Sequence, residues 1–261
     1  MITILIQGPI RNNLYEEYLA SYQSYGKVVF VCYDVENTKE IEKLFPRVTF
    51  IKIPYPSVEK TYNFNNTFLQ TNGVLQGLLN IDTEFTIRVR SDESFPNLDT
   101  FIKNIKTHPD RVHVTNLYSF KDDELKFCLG NHIFAGKTKV LKDAFHWAYL
   151  ACTGQIEDIY FEEGNMYIND VNGSKIQAWS EILQTISFLK AMNVEIDQAN
   201  SKKIMKSNFY MTPLNDFPNF KWTHKYNGYQ PITANTVMEY DPTWTNSGGE
   251  KNRFMLKIED I

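Results

Sequence analysis

The sequence is poor in the residues that mark several functional classes. It has three cysteines in 261 residues, Cys32, Cys128 and Cys152. They are too few and too far apart for a zinc ribbon or a disulfide framework. Their odd number reads as free thiols in a reducing, cytoplasmic compartment. The five histidines show no H-E-x-x-H or H-x₃-H spacing, which argues against a zinc site of sequence-local ligands. No stretch of 18 consecutive apolar residues occurs, so no membrane-spanning helix is expected. Met1 to Ile6 has no basic flank and reads as a strand, not as a signal peptide. Basic charge does not predominate: 27 Lys and Arg stand against 31 Asp and Glu, for a net charge of −4. That is a poor basis for non-specific nucleic-acid binding, and no nucleic-acid partner is expected. The G-x-G-x-x-G fingerprint, the P-loop and the G-x-S-x-G elbow are all missing. The sequons at Asn65 and Asn172 read as chance occurrences without a secretion signal.

What is present is ordinary globular composition, 43% hydrophobic and 22% charged, with a high aromatic share of 14%. Two periodicities alternate along the first half. Ile2–Ile6, Val28–Tyr33, Val48–Ile53 and Phe85–Val89 are short β-branched or apolar runs that read as buried strands. Between them, Leu14, Tyr18, Tyr22 and Tyr25 recur at helical spacing, Glu36–Phe45 reads as a short helix, and Asn65–Leu79 as a longer one. Gly73 and Gly77 weaken the last of these by about 1 kcal/mol each relative to alanine. Strand, helix, strand in this repetition predicts an α/β fold: a Rossmann-like, mostly parallel central sheet flanked by helices. Further on, Asp99–Lys106, Thr138–Leu150 and Ser180–Met192 read as helices, with Ser180 as N-cap of the last. Val112–Leu117 reads as a strand and Phe127–Ala135 as an irregular one. Past Asn193 the pattern dissolves into an irregular, proline- and aromatic-rich C-terminal section. No linker-like composition interrupts the chain, so a single domain over 1–261 is expected.

Three places carry chemistry. The strand ending in Arg88-Val89-Arg90-Ser91-Asp92-Glu93 runs directly into two acids. Parallel sheets bind ligands outside the carboxyl ends of their strands, and acids there can hold a divalent cation that bridges to a diphosphate. From spacing alone the segment reads equally as a solvated turn. The turn Gln7-Gly8-Pro9-Ile10-Arg11 lies on the same edge and could line a nucleoside pocket, or be a plain strand–helix connection. His224, between Trp222 and Tyr226, could reach such a site and serve as a metal ligand, or be a surface histidine. Lys202, Lys203 and Lys206 form a small basic cluster, a solvated face or at most a peripheral membrane contact.

Three stretches in this order, Ile4-Leu5-Ile6-Gln7-Gly8-Pro9-Ile10, Ile87 to Glu93 and Asn131-His132-Ile133-Phe134-Ala135-Gly136-Lys137, resemble the WavE-type lipopolysaccharide-synthesis family, which looks like a set of GT-A-fold glycosyltransferases. The resemblance spans roughly residues 1–190. It implies a nucleotide-sugar donor, a glycan or lipid-linked glycan acceptor, and Mn²⁺ or Mg²⁺ as cofactor. Residues 1–120 would form the donor half and 121–261 the acceptor half. Asp92 would hold the metal, although Arg90 stands where the related motif carries its first acid and could itself pair with phosphate. Gln7, Gly8, Pro9, Arg11, Asn66, Gln70, Thr71, Arg90, Ser91 and His132 would line the donor site, with Asn131 and His132 near the sugar or acceptor. Glu181 would be the catalytic base, with Asp158 as the second choice and Glu157 beside it. Two other readings stay open: a sugar nucleotidyltransferase, and a carbohydrate- or nucleotide-binding protein without catalysis.

Overall fold

The runs at 2–6, 28–33 and 85–89 form strands buried on both faces, the run at 48–53 forms a partly exposed edge strand, and the helical-period segments supply the cover. A computed structural model describes residues 1–10, 14–59, 61–63, 66–117, 119, 125–223 and 231–233. Its elements in chain order are β1 (Ile2–Gln7), α1 (Leu14–Tyr25), β2 (Lys27–Tyr33), α2 (Lys39–Leu44), β3 (Thr49–Ile53), α3 (Thr67–Leu79), β4 (Phe85–Arg90), β5 (Glu93–Ser94), α4 (Asp99–Thr107), β6 (Val112–Thr115) and β7 (Ile133–Lys137). There follow α5 (Thr138–Cys152), β8 (Ile159–Glu162), β9 (Asn165–Asn169), β10 (Lys175–Gln177), α6 (Ser180–Ala191), α7 (Ser201–Asn208), β11 (Phe209–Thr212), β12 (Lys221–Thr223) and β13 (Pro231–Thr233).

Seven strands make the central sheet in the order β3-β2-β1-β4-β7-β6-β11. All run parallel except β7, which is antiparallel to both β4 and β6. This is the mostly parallel, helix-flanked α/β sheet that the alternation of periods predicts, and it matches the GT-A, Rossmann-like plan. Leu5, Val31 and Phe134 point to one side and pack with α3, α5 and α6. Ile4, Ile6, Ile87 and Val89 point to the other and pack with Tyr18 and Tyr22 of α1 and Phe101 and Ile105 of α4. The period of two along each strand divides the core between the two faces.

Gly77, which argued against a helix over 67–79, is instead what lets that helix sit on the sheet. A Cβ there would stand 2.5 Å from Leu5 Cδ1, so a larger residue would push α3 off β1. The sequence reading differs from the structure elsewhere too. β7 begins only at Ile133; residues 127–132 are a buried crossing segment with Phe127 at φ 56°, which is why that stretch looks apolar without a strand period. Ser180 is the first residue of α6 and not its cap: Trp179 takes the N-cap position, and the Ser180 hydroxyl donates to Glu181 Oε2 at 2.6 Å. Within the C-terminal section, α7 and β11 are regular, and β11 adds an edge strand beside β6. Among the described residues no helix is long and apolar enough to cross a membrane.

Candidate functional site

The strand order reverses at β1: β2 and β3 lie to one side of it, β4 to the other. Open α/β sheets form a crevice at the carboxyl ends of the strands on either side of such a point. Here those ends are Gln7 of β1 and Arg90 of β4, which are paired in register. The two turns that follow them are tied together. Ser91 N–H donates to Gln7 O at 3.0 Å, and Ser91 Oγ donates to Pro9 O at 2.7 Å. Gly8 adopts φ 136°, and a Cβ on it would collide with Ser91 Oγ. Both the backbone angle and the close approach require glycine. Tyr18, on α1, donates through its hydroxyl to Ser91 O at 3.2 Å, and Tyr22 and Tyr25 accept from Phe95 N–H and Leu98 N–H at 3.0 and 3.2 Å. The helical spacing of these tyrosines therefore fixes the whole segment after β4.

Charge is concentrated at this edge. Arg90 grips Asp92 with two hydrogen bonds, Nε to Oδ1 at 2.9 Å and Nη2 to Oδ2 at 2.8 Å, and its Nε lies 3.4 Å from Glu93 Oε1. Burial opposes the charge on Arg90, but Asp92, Glu93 and Glu181 together hold its pKa above the ordinary arginine value. Burial likewise works against the Asp92 carboxylate, yet Arg90 and then His132 lower it to about 2. Glu93 is fully buried; its Oε1 pairs with His132 Nδ1, and among the described residues its Oε2 has no partner.

Two residues before Arg90, on the same face of β4, Arg88 is 1% exposed. Its Nη1 donates to Asn131 O at 2.5 Å, its Nη2 to Gln7 Oε1 at 2.7 Å, and the guanidinium lies 5.3 Å from the centre of the Phe134 ring. Among the described residues no carboxylate hydrogen-bonds it. Burial and then the charge of Arg90 lower its pKa to about 9, offset in part by Glu93 and Asp92. Arg88 lines a small cavity with Gln70 and Thr71 of α3, Asn131, and Ser180 and Gln184 of α6. Asn131 Nδ2 donates to Gln70 Oε1 at 3.4 Å across it.

The structure thus brings Gln7, Gly8, Pro9, Arg90, Ser91, Asp92 and His132 into one hydrogen-bonded cluster, with Gln70, Thr71 and Asn131 in the adjoining cavity. Glu181 is half-buried at the start of α6 and close enough to act on the charge of Arg90. Asn66 is exposed at the N-cap of α3 in a left-handed conformation, φ 62°, and makes no side-chain cap; Asn63 Oδ1 accepts from Leu69 N–H instead. Asp158 is exposed in the turn before β8 and takes no part in this cluster's hydrogen bonds. Arg11 and His224 lie outside the described residues. Lys202, Lys203 and Lys206 are exposed on α7. One functional candidate escaped the sequence reading, Arg88; Glu93 is read there only as one of two acids able to hold a cation. The signal for Arg88 was in plain view: a charged residue at an inward position of an otherwise apolar strand, two residues from Arg90.

The expected divalent cation finds no ready set of ligands. Both Asp92 oxygens are engaged by Arg90, Glu93 Oε1 is shared between Arg90 and His132, and among the described residues no three carboxylate, imidazole or thiolate groups converge. These residues, as arranged, do not fit a metal.

No protein-family model matches the chain, and no curated protein matches its sequence. The solved structures similar to it are distant. A mannosyltransferase from Pyrobaculum calidifontis in complex with GDP-Man and Mn²⁺ is 12% identical, with TM-score 0.39 over 54% of this chain and 45% of that one. TarS 1-349 of S. aureus is 14% identical, with TM-score 0.40 over 78% of this chain and 69% of that one. A nucleoside-diphosphate-sugar pyrophosphorylase from Vibrio cholerae RC9 is 12% identical, with TM-score 0.44 over 82% of this chain and 92% of that one. This chain spans less than half the length of the mannosyltransferase. At TM-scores under 0.5, the fold rests on this chain's own strand order and not on these likenesses.

Proposed function

We propose that the chain is a glycosyltransferase that moves a sugar from a nucleotide-sugar donor to a surface-glycan acceptor. The observation that carries the reading is the pinned pair of turns at the reversal point of the sheet, Gln7–Pro9 against Arg90–Glu93, with the charged cluster at their junction. The three stretches that resemble WavE-type sequences fall on this edge or beside it, which supports the choice of lipopolysaccharide, capsule or a related glycoconjugate as product. We read 1–261 as one working unit, with the donor held by 1–120 and the acceptor by 121–261.

In this reading the Gln7-Gly8-Pro9 turn takes the nucleoside. Gln70, Thr71 and Asn131 take hydroxyls of the donor. The acceptor hydroxyl attacks the anomeric carbon, the bond from that carbon to the diphosphate breaks, and its electron pair leaves with the nucleoside diphosphate. Preorganised positive charge stabilises that leaving group. The proton of the attacking hydroxyl passes to the Glu181 carboxylate, in the first turn of α6.

The test is thermal shift of the wild type and Asp92→Ala with UDP, GDP, CDP, dTDP and CMP. A ligand at 100 times its dissociation constant adds about 2.7 kcal/mol of apparent stability. One nucleoside diphosphate that raises the wild-type midpoint, followed by transfer from its sugar conjugates, establishes the reading. Pyrophosphate release from a nucleoside triphosphate and a sugar phosphate would replace it with a nucleotidyltransferase. Sugar binding with no donor turnover would replace it with a binding protein.

A further inference from the structure

The end of β4 carries hydrogen-bond donors that its own carboxylates do not use. Arg90 spends Nε and Nη2 on Asp92, and among the described residues nothing accepts from its Nη1. Its side chain is 21% exposed, so this unused edge can meet a ligand. Arg88 adds a second, buried guanidinium on the same strand face, held among the described residues by carbonyl and amide oxygens and an aromatic ring. Two like charges so close repel, and an anion placed beside them relieves the repulsion. A cation approaching Asp92 meets the opposite situation. It must displace a guanidinium from both carboxylate oxygens while in the field of two arginines.

We propose that Arg90 occupies the place of the divalent cation and binds the donor's diphosphate through its free Nη1 edge, so that this site takes a nucleoside diphosphate without metal. Asp92 is then a positioning residue: its two hydrogen bonds hold the guanidinium plane toward the ligand. A planar fork suits this task, because it can serve a carboxylate on one edge and phosphate oxygens on the other. The inference rests on the nucleotide-sugar reading above.

Isothermal titration separates the two. The nucleoside diphosphates UDP, GDP, CDP and dTDP are titrated into the wild type, Arg90→Ala, Arg90→Lys and Asp92→Asn, each in EDTA and in Mn²⁺. The expected result is one nucleotide whose affinity in EDTA and Mn²⁺ agrees within about threefold. Arg90→Ala weakens it roughly 10- to 100-fold, the range of a charged hydrogen bond. Arg90→Lys, which keeps the charge but loses the fork, also weakens it and carries the test if the alanine variant does not fold. Asp92→Asn, which keeps only one of the two acceptors that hold the guanidinium plane, weakens binding equally in EDTA and in Mn²⁺, and by less than Arg90→Ala. Binding seen only with Mn²⁺ and lost in Asp92→Asn overturns this proposal and leaves the nucleotide-sugar reading standing. No binding of any nucleotide under either condition overturns both.

Discussion

Arg90 and Asp92, two residues apart at the end of β4, are joined by two parallel hydrogen bonds of 2.9 and 2.8 Å while 21% and 15% of their side chains remain exposed. A pair this sheltered is costly to break, because the remaining charge is left in a poorly solvated place. Asp92 has its pKa lowered to about 2, below its ordinary value, so the folded state holds its proton less tightly than the unfolded chain does. The stability it contributes is therefore complete above about pH 4 and lost as the pH falls toward 2. The shift corresponds to about 2 kcal/mol. Urea denaturation at pH 7 and at steps down to pH 2 should show this loss in the wild type and not in Asp92→Asn.

Gly8 tests the coupling of the two turns. Gly8→Ala places a methyl group against Ser91 Oγ at a backbone angle alanine disfavours. The strain should cost about 1–3 kcal/mol, more than the roughly 0.4–1 kcal/mol that alanine returns by restricting the unfolded chain. The expected result is a lower urea midpoint with an unchanged m-value, together with weakened nucleotide binding. A variant as stable as wild type would mean that the Gly8–Ser91 approach is not a fixed feature of the edge.

Acid sensitivity should have a second, milder window, from His113. This residue is fully buried on β6, with its Nε2 3.0 Å from His108 O and its Nδ1 unpartnered. Burial pushes its pKa down to about 4; the His108 carbonyl opposes this, and the charges of His108 and Arg111 add to it. A depressed folded-state value means that the unfolded chain binds the proton first. Stability is then full above about pH 6.5 and declines as the pH falls toward 4, by about 2 kcal/mol at pH 5. His113→Gln, which keeps a donor for the His108 carbonyl, should flatten the difference between denaturation curves at pH 7.5 and pH 5. An equal difference in the variant would assign that window to another group.

Glu181→Gln separates binding from chemistry. The amide keeps the size of the side chain and can still accept from Ser180 Oγ, so the start of α6 should stand. Loss of a general base typically costs about 10²- to 10⁴-fold. The expected outcome is a fall of that order in kcat for sugar transfer with nucleotide affinity little changed. Full turnover in the variant would move the base elsewhere.

Much of this architecture is legible in the sequence, and the rest is hidden for identifiable reasons. β1, β2 and β4 show because burial on both faces leaves apolar runs between helical patterns, and the edge strand β3 shows through its β-branched and aromatic residues bounded by prolines. Tyr18, Tyr22 and Tyr25 are readable as one helix face. Their second role, tying down Ser91, Phe95 and Leu98, depends on partners more than 70 positions away. The β8–β10 meander and β11 escape because runs of three to five residues, about half of them not fully buried, carry too little periodicity. Gly77 misleads because intrinsic helix propensity is outweighed by its approach to Leu5. At the site, the acids of Asp92-Glu93 suggest a metal. What the sequence does not disclose is that Arg90 folds back onto Asp92, since spacing alone does not show which charges meet.

The most direct measurement is a crystal structure of the chain with the nucleoside diphosphate that raises its melting midpoint. The reading predicts the base beside Gln7-Gly8-Pro9 and a phosphate oxygen within hydrogen-bond distance of the Arg90 guanidinium, with Asp92 still behind it. A diphosphate bound away from the β1–β4 edge, or one joined to Asp92 through a metal ion with Arg90 turned aside, would contradict it.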